Sequence, residues 1–400
     1  MLSILPHLLH LLTLGAAIFA FAIAFAFASP VFGQYLSLRG EKVNASDGIS
    51  ADFFASLERL SRLVDITYCV GTTGIRQPFS CISRCKDFPS LELVTTWSTG
   101  VLLSDSCGYV AVDHGVPPPI AELYSMPPQQ QDKPDEKANG AIIVAFRGTY
   151  SITNAVIDLS TVPQKYVPYP PEDDEYGLPP RKPEHIARRA VLPELKRLHE
   201  RYPHYPIHVV GHSLGGAVGA LAALEMKVII GWEHIIVTTF GEPRVGNAGF
   251  VKYLDVAFRL QDDGNSPEQR IYRRITHIDD PVPLLPLSEW GYRSHAGEFF
   301  ISKPELPPKP SDIRPCVGNY DLDCIAGEET GSEPISKGHS SNDANTLLNG
   351  VWHVPARFKL WGLLFAHRDY FWRLGLCIPG GDPINWGRDK YPAITTNDEL

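Results

Sequence analysis

The sequence predicts an α/β fold, with a central, mostly parallel sheet flanked by helices. Three observations predict it. From residue 51 onward, short β-branched runs alternate with segments of helical period. The run "PIHVV" (206–210) passes through "GHSLGG" into "AVGALAALEM", which reads as a buried strand turning sharply into a helix whose small residues pack closely on a sheet. Finally, 44% hydrophobic and 20% charged content over 400 residues are near globular averages and supply a sizeable core.

The elements follow in order. Residues 1–34 contain no Asp, Glu, Lys or Arg, and "LLHLLTLGAAIFAFAIAFAFA" is apolar almost throughout. This is a targeting segment. Ala26-Phe27-Ala28 before Ser29 fits a small-x-small cleavage site, so 1–28 reads as a signal peptide. The missing basic n-region and the length of the run, enough to cross a bilayer at roughly 20 residues, keep a retained signal anchor open. Either reading sends the chain into the secretory pathway, where Asn44-Ala45-Ser46 is a glycosylation acceptor at Asn44. Residues 29–49 read as a linker, 50–380 as one domain and 381–400 as a tail.

Within the domain, "ADFFASLERLSRLVDITYC" reads as a helix, and "LELVTTWSTGVLLS" with "GYVAVDHG" as a hairpin. "GAIIVAFRGTYS", the strand at 206–210, "HIIVTTFGEPRVGN", "QRIYRRITHIDDPVPLLP" and "GEFFISKPE" supply further strands. The Pro-rich stretches 116–139 and 163–183, together with 303–340, read as surface excursions. No internal repeat is visible. A net charge of −9 without a basic block argues against nucleic acid as a partner.

The seven cysteines agree with an oxidising compartment. Cys81 and Cys85, like Cys316 and Cys324, stand in polar, turn-rich stretches suited to stapled loops, which leaves Cys69 and Cys377 to tie the ends of the domain together. Cys107 is left over as a buried thiol. Nothing has the paired close spacing of a metal site, so no metal and no cofactor is expected.

The chemistry centres on Ser213. Gly211 and Gly215 flank it in a G-x-S-x-G pattern, in which glycine removes the obstruction that a side chain would present to the strained turn. The start of the following helix places the Leu214 N–H where an oxyanion would develop. In folds with such an elbow the acid follows the serine and the histidine comes last. "RITHIDDPVPLLP" offers Asp279 and Asp280. Among the later histidines, His339 lies in a Gly/Ser-rich loop and His295 follows the acid too closely, leaving His353 or His367.

Taken together, "AFRGTYSI", "VVGHSLGG", "FGEPRVGN", "ITHIDDPVPLLP" and "FAHRDYFWRLGLC" resemble, in order and over residues 50 to 380, the secreted fungal class 3 lipases of the Rhizomucor and Thermomyces type. The resemblance implies an α/β-hydrolase fold with a short helical lid. It selects Asp280, which precedes Pro281-Val282-Pro283, and His367, which precedes an aromatic stretch and the last cysteine. It implies Thr149 as the second oxyanion donor beside Leu214. It also implies a lid in "SITNAVIDL", where Ile152, Ala155, Val156 and Leu159 share one helical face and Ala155 stands where relatives often carry Trp. Disulfides Cys69–Cys377 and Cys81–Cys85 are implied as well.

The expected activity is hydrolysis of acylglycerol esters through an acyl-enzyme at a lipid–water interface, by a secreted monomer. A feruloyl esterase and a catalytically silent lipid-binding protein are the alternatives. In one place the chain departs from the family. The His-x-Gly-Phe and Ser-Trp stretch of relatives is missing between Ser160 and Ser213, and the junction near His185 reads as natural divergence or as an omitted segment that would lower secretion and activity.

Overall fold

Helix α1, Ala51–Ile66, begins where Ser50 accepts the Phe53 N–H at 3.2 Å, an N-cap that satisfies one orphan donor of the first turn. Phe53, Leu57, Leu60, Leu63 and Val64 recur at helical spacing and are buried. The helix tightens into a 3₁₀ turn at Thr67–Cys69. The computed structural model describes residues 48–98, 106–115, 140–149, 183–260, 266–330 and 366–379.

The strands are β1 (Leu91–Ser98), β2 (Cys107–Asp113), β3 (Ala141–Phe146), β4 (Ile207–His212), β5 (Ile235–Phe240), β6 (Tyr272–His277), β7 (Glu298–Ile301) and β8 (Ile313–Pro315). They lie in one sheet in chain order. The expected hairpin is present, β1 pairing antiparallel with β2 and β2 with β3. From β3 to β7 every neighbouring pair is parallel. Because crossovers cover both faces of such a sheet, its central strands are buried on both sides, and β3 (AIIVAF) is apolar throughout. In β3, Ala141, Ile143 and Ala145 enter the core shared with α1, while Ile142, Val144 and Phe146 enter the core on the opposite face. That second core also takes in Leu195 and Leu198 of helix α2 (Pro183–Arg201) and Ala220 and Ala223 of α3 (Leu214–Leu224). Helix α4 (Ala248–Ala257), capped by Asn247 on the Phe250 N–H, adds Leu254.

The stretch 303–340 is not wholly an excursion. It contains β8, paired antiparallel with β7 through Ile313 opposite Ile301, and Ile313, Cys316, Cys324 and Ile325 are buried. Ile313, Arg314 and Pro315 give no strand signal by themselves. Pairing across the sheet edge supplies it, and Pro315 is tolerated there because an edge strand has one unpaired side. The bonded cysteine pairs are Cys69–Cys377, Cys81–Cys85 and Cys316–Cys324, with Cys107 free and buried.

Asn44, the apolar run 1–28, the lid residues Ile152, Ala155, Val156 and Leu159, His339 and His353 lie outside the described residues. So does the stretch 150–182 leading to the junction near His185. Among the described residues no helix is long and apolar enough to cross a membrane.

Candidate active site

The site forms at the carboxyl ends of the parallel strands. Ser213 joins β4 to α3 with φ 58° and ψ −134°, a conformation that L side chains rarely adopt. The glycines around it are required by close approach. A Cβ on Gly211 would lie 2.4 Å from the Gly215 carbonyl oxygen, and one on Gly215 would lie 2.6 Å from that of Arg147. The turn is held by the Ser213 N–H donating to Phe240 O at 2.9 Å and the Gly216 N–H donating to Ser213 O at 2.8 Å.

The loop after β3 runs against this elbow. A Cβ on Gly148 would lie 2.8 Å from that of Ser213, so the loop packs on the serine at the residue before Thr149, which is itself buried. Arg147 anchors the loop by donating from Nη1 to Val70 O at 2.7 Å. Leu214 is the first residue of α3, where N–H groups lack partners within the helix.

Asp280 and His367 meet across 87 residues. His367 Nδ1 lies 3.0 Å from both Asp280 oxygens, and each side chain is almost fully buried. Since a carboxylate accepts, Nδ1 carries the proton and Nε2 presents its lone pair. Nε2 is buried without a hydrogen-bond partner among the described residues. The Asp280 carboxylate also accepts from Tyr370 Oη at 2.5 Å and from the Val282 N–H at 2.9 Å. Burial pushes the Asp280 carboxyl up. The charge and hydrogen bond of His367, with the Tyr370 and Val282 donors, outweigh burial and hold it below the ordinary range. Tyr370 is pushed well up, by burial and by the Asp280 charge beside it.

The fold separates the two sequence candidates for the acid. Asp279 takes φ 65° at the turn and is exposed, whereas Asp280 is buried against His367. Of the two candidate histidines, only His367 is among the described residues. The expected serine, acid and histidine therefore share a locality with Thr149 and Leu214.

Sequence reasoning passed over four contributors. His212 donates from Nε2 to His367 O at 2.8 Å, lies 2.6 Å from Tyr68 Oη through Nδ1, and stacks on the His367 ring at 4.7 Å. Burial, then the neighbouring His367, pushes it down to about 3. Tyr370 and Tyr68 are the second and third. Gly241 is the fourth: at φ 61°, a Cβ there would lie 2.6 Å from Tyr370 Oη and 2.8 Å from His367 Cε1. Adjacency to Ser213 was the only signal for His212. In "FGEPR" nothing local marks the glycine, because the groups it makes room for lie far along the chain.

Among the described residues one group has metal-ligand composition. Glu298, Cys316 and Cys324 present ligand atoms within 4.8 Å of one another. Both sulfurs are committed to their disulfide, and Glu298 accepts from Arg274 at 2.9 Å and Thr276 at 2.6 Å, so the group is structural.

Residues 143–290 match the family model described as "Lipase (class 3)". The chain is 56% identical over 373 residues to "Secreted mono- and diacylglycerol lipase 2" of Gibberella zeae, with 88% of each chain covered. The chain belongs to the fungal class 3 lipases. "Lipase A" of Sodiomyces alcalophilus is 54% identical over 375 residues, covering 87% of this chain and 88% of that one. Among solved structures, the Lip2 lipase of Yarrowia lipolytica aligns with a TM-score of 0.59 at 28% identity, over 83% of this chain and 97% of that one. As a class 3 lipase, the protein is a carboxylic ester hydrolase with the α/β-hydrolase fold.

Proposed function

We propose that this lipase cleaves mono- and diacylglycerol esters, with Ser213 as nucleophile, His367 as general base and Asp280 as the acid that orients it. The observation carrying this reading is the His367 imidazole, fixed at Nδ1 by a buried carboxylate and without a partner at Nε2 among the described residues, in a site that also holds a serine in a strained elbow. The Gibberella relative, named a mono- and diacylglycerol lipase, supports the substrate class.

In this mechanism His367 removes the serine proton as Oγ attacks the ester carbonyl, and the Leu214 and Thr149 N–H groups receive the oxyanion. Collapse expels the glycerol oxygen, which takes the proton from His367 and leaves an acyl-serine. His367 then activates water for deacylation. Asp280 keeps the productive tautomer throughout.

We further infer that residues 50–380 are the catalytic domain, after a signal segment 1–28 and a linker 29–49 and before a tail 381–400. The protein acts outside the cell as a monomer, glycosylated at Asn44. Ile152, Ala155, Val156 and Leu159 form a lid that opens on lipid.

The test compares wild type and S213A on emulsified mono-, di- and triacylglycerols and on methyl ferulate, through the solubility limit of each. The expected result is turnover of the partial glycerides that rises above the solubility limit in wild type and is absent in S213A. Activity retained by S213A overturns the nucleophile assignment, preference for ferulate overturns the substrate class, and smooth saturation overturns the lid.

A further inference from the structure

The side chain preceding the nucleophile has both ring nitrogens committed. Its Nε2 faces the His367 main-chain carbonyl at 2.8 Å. A carbonyl oxygen only accepts, so Nε2 carries the proton. Nδ1, 2.6 Å from Tyr68 Oη, then accepts from the hydroxyl, and the ring is the neutral Nε2–H tautomer. It is 2% exposed. The rings of His212 and His367 lie 4.7 Å apart with planes 26° from parallel, and Tyr370 meets His212 edge-on at 6.0 Å.

His367 itself stands in a short 3₁₀ turn, Ala366–Arg368, with no helix or strand to hold it. Asp280 fixes one ring atom, a contact that by itself sets neither the tilt of the ring face nor the place of the His367 carbonyl. His212 acts on both from the end of β4, directly before Ser213, so base and nucleophile are referenced to one strand end.

We propose that His212 is a positioning residue for His367: its neutral ring donates to the His367 carbonyl and lies against the imidazole, setting the plane in which Nε2 meets Ser213. This rests on the assignment of Ser213 and His367 given above. It assigns His212 no contact with substrate, so its loss acts on kcat and leaves KM in place.

The experiment measures kcat and KM on a soluble short-chain ester for wild type, H212F, H212Q and S213A, each normalised to active sites titrated with a phosphonate ester that labels the nucleophile. H212F keeps a ring face and loses the donor. H212Q keeps an N–H able to reach the carbonyl. The expected result is a kcat loss of roughly 10- to 100-fold in H212F, the range that a displacement of about 1 Å costs, with KM within about twofold. H212Q recovers to within about fivefold of wild type. Wild-type kcat per site in H212F, or equal losses in both variants, overturns the proposal. Imidazole ¹⁵N spectra of the wild-type protein, which need no variant to fold, should show His212 as the Nε2–H tautomer at pH 6 to 8. An Nδ1–H or cationic His212 there overturns the proposal as well. Turnover or labelling retained by S213A defeats the site assignment itself, whereas a silent S213A beside a fully active H212F defeats only this inference.

Discussion

Replacing Asp65 by Asn should raise stability relative to wild type progressively as pH rises from 4 to 7.5. Asp65 stands in the last turn of α1, 1% exposed, accepting the Gly375 N–H at 2.8 Å with Arg84 Nε at 3.4 Å. Burial pushes its carboxyl from 3.8 up to about 6, against the opposing pull of Arg84, the Gly375 N–H and Arg368. A carboxyl whose pKa is raised by folding is bound by its proton more tightly in the native state. The stability it contributes is complete below about 3.8, declines between 4 and 6, and is lost above 6. A gap of about two units corresponds to roughly 3 kcal/mol. Asn does not titrate, so any packing cost of the amide is the same at every pH and cancels in the comparison. At roughly 2 °C per kcal/mol for a large domain, the unfolding midpoint of D65N minus that of wild type should increase by about 6 °C between pH 4 and 7.5 at a fixed scan rate. A difference that stays flat would refute the reasoning. One that falls would mean that Arg84 and Gly375 hold Asp65 charged in the folded protein.

Two further outcomes follow from the site. D280N should lower kcat by about 10⁴, because an amide beside His367 Nδ1 favours the wrong tautomer, while D279N, exposed at the turn, should stay within about twofold; equal losses in an ester assay would mean the acid is misassigned. G241A places a Cβ 2.8 Å from His367 Cε1 in a left-handed conformation, so we expect at least a tenfold loss of kcat and about 1–3 kcal/mol of destabilisation by urea titration; wild-type values for both would show that the turn relaxes freely.

The parts of the protein legible in the sequence are those whose determinants are local. The strand, elbow and helix around Ser213 were readable because the pattern is contiguous in sequence: Gly211 is demanded by the Gly215 backbone four residues on, although Gly215 itself is demanded by the distant Arg147 backbone. Asp280 was not separable from Asp279 by its surroundings, since both occupy the same proline-fixed turn. The resemblance chose between them, and the structure shows the physical difference: the left-handed turn at Asp279 leaves it exposed, while Asp280 is buried against His367. Glu242 illustrates the opposite limit. Its carboxylate is buried and takes up Thr239, Tyr272 and His295, of which the last two lie 30 and 53 residues away, and no spacing rule connects them. The strand β8 escaped for a related reason, because its three residues form a strand only through pairing with β7, and nothing in their own composition announces it.

The placement of His367, the proposed general base, depends on the described helix farthest from it in sequence. Residues 366–379 contain one 3₁₀ turn and no longer element, yet carry the histidine whose position must hold to a fraction of an ångström. Their order is borrowed from α1 and the residues after it. Asp65 takes the Gly375 N–H, Cys69 bonds Cys377 across 308 residues, and Phe54 meets Phe371 edge-on at 5.1 Å. Tyr68, between Asp65 and Cys69, reaches His367 through His212. Three of these residues, 65, 68 and 69, fall within one turn and a half of chain. A perturbation there should therefore appear first as lost alignment of His367 and only later as lost fold, because α1 remains packed on the sheet through Leu57, Leu60 and Leu63 when the C-terminal segment loosens. On this reasoning, mild reduction of Cys69–Cys377 should abolish turnover at a reductant concentration that leaves the cooperative unfolding transition in place, and simultaneous loss of activity and fold would show that the segment is part of the core and not fastened onto it.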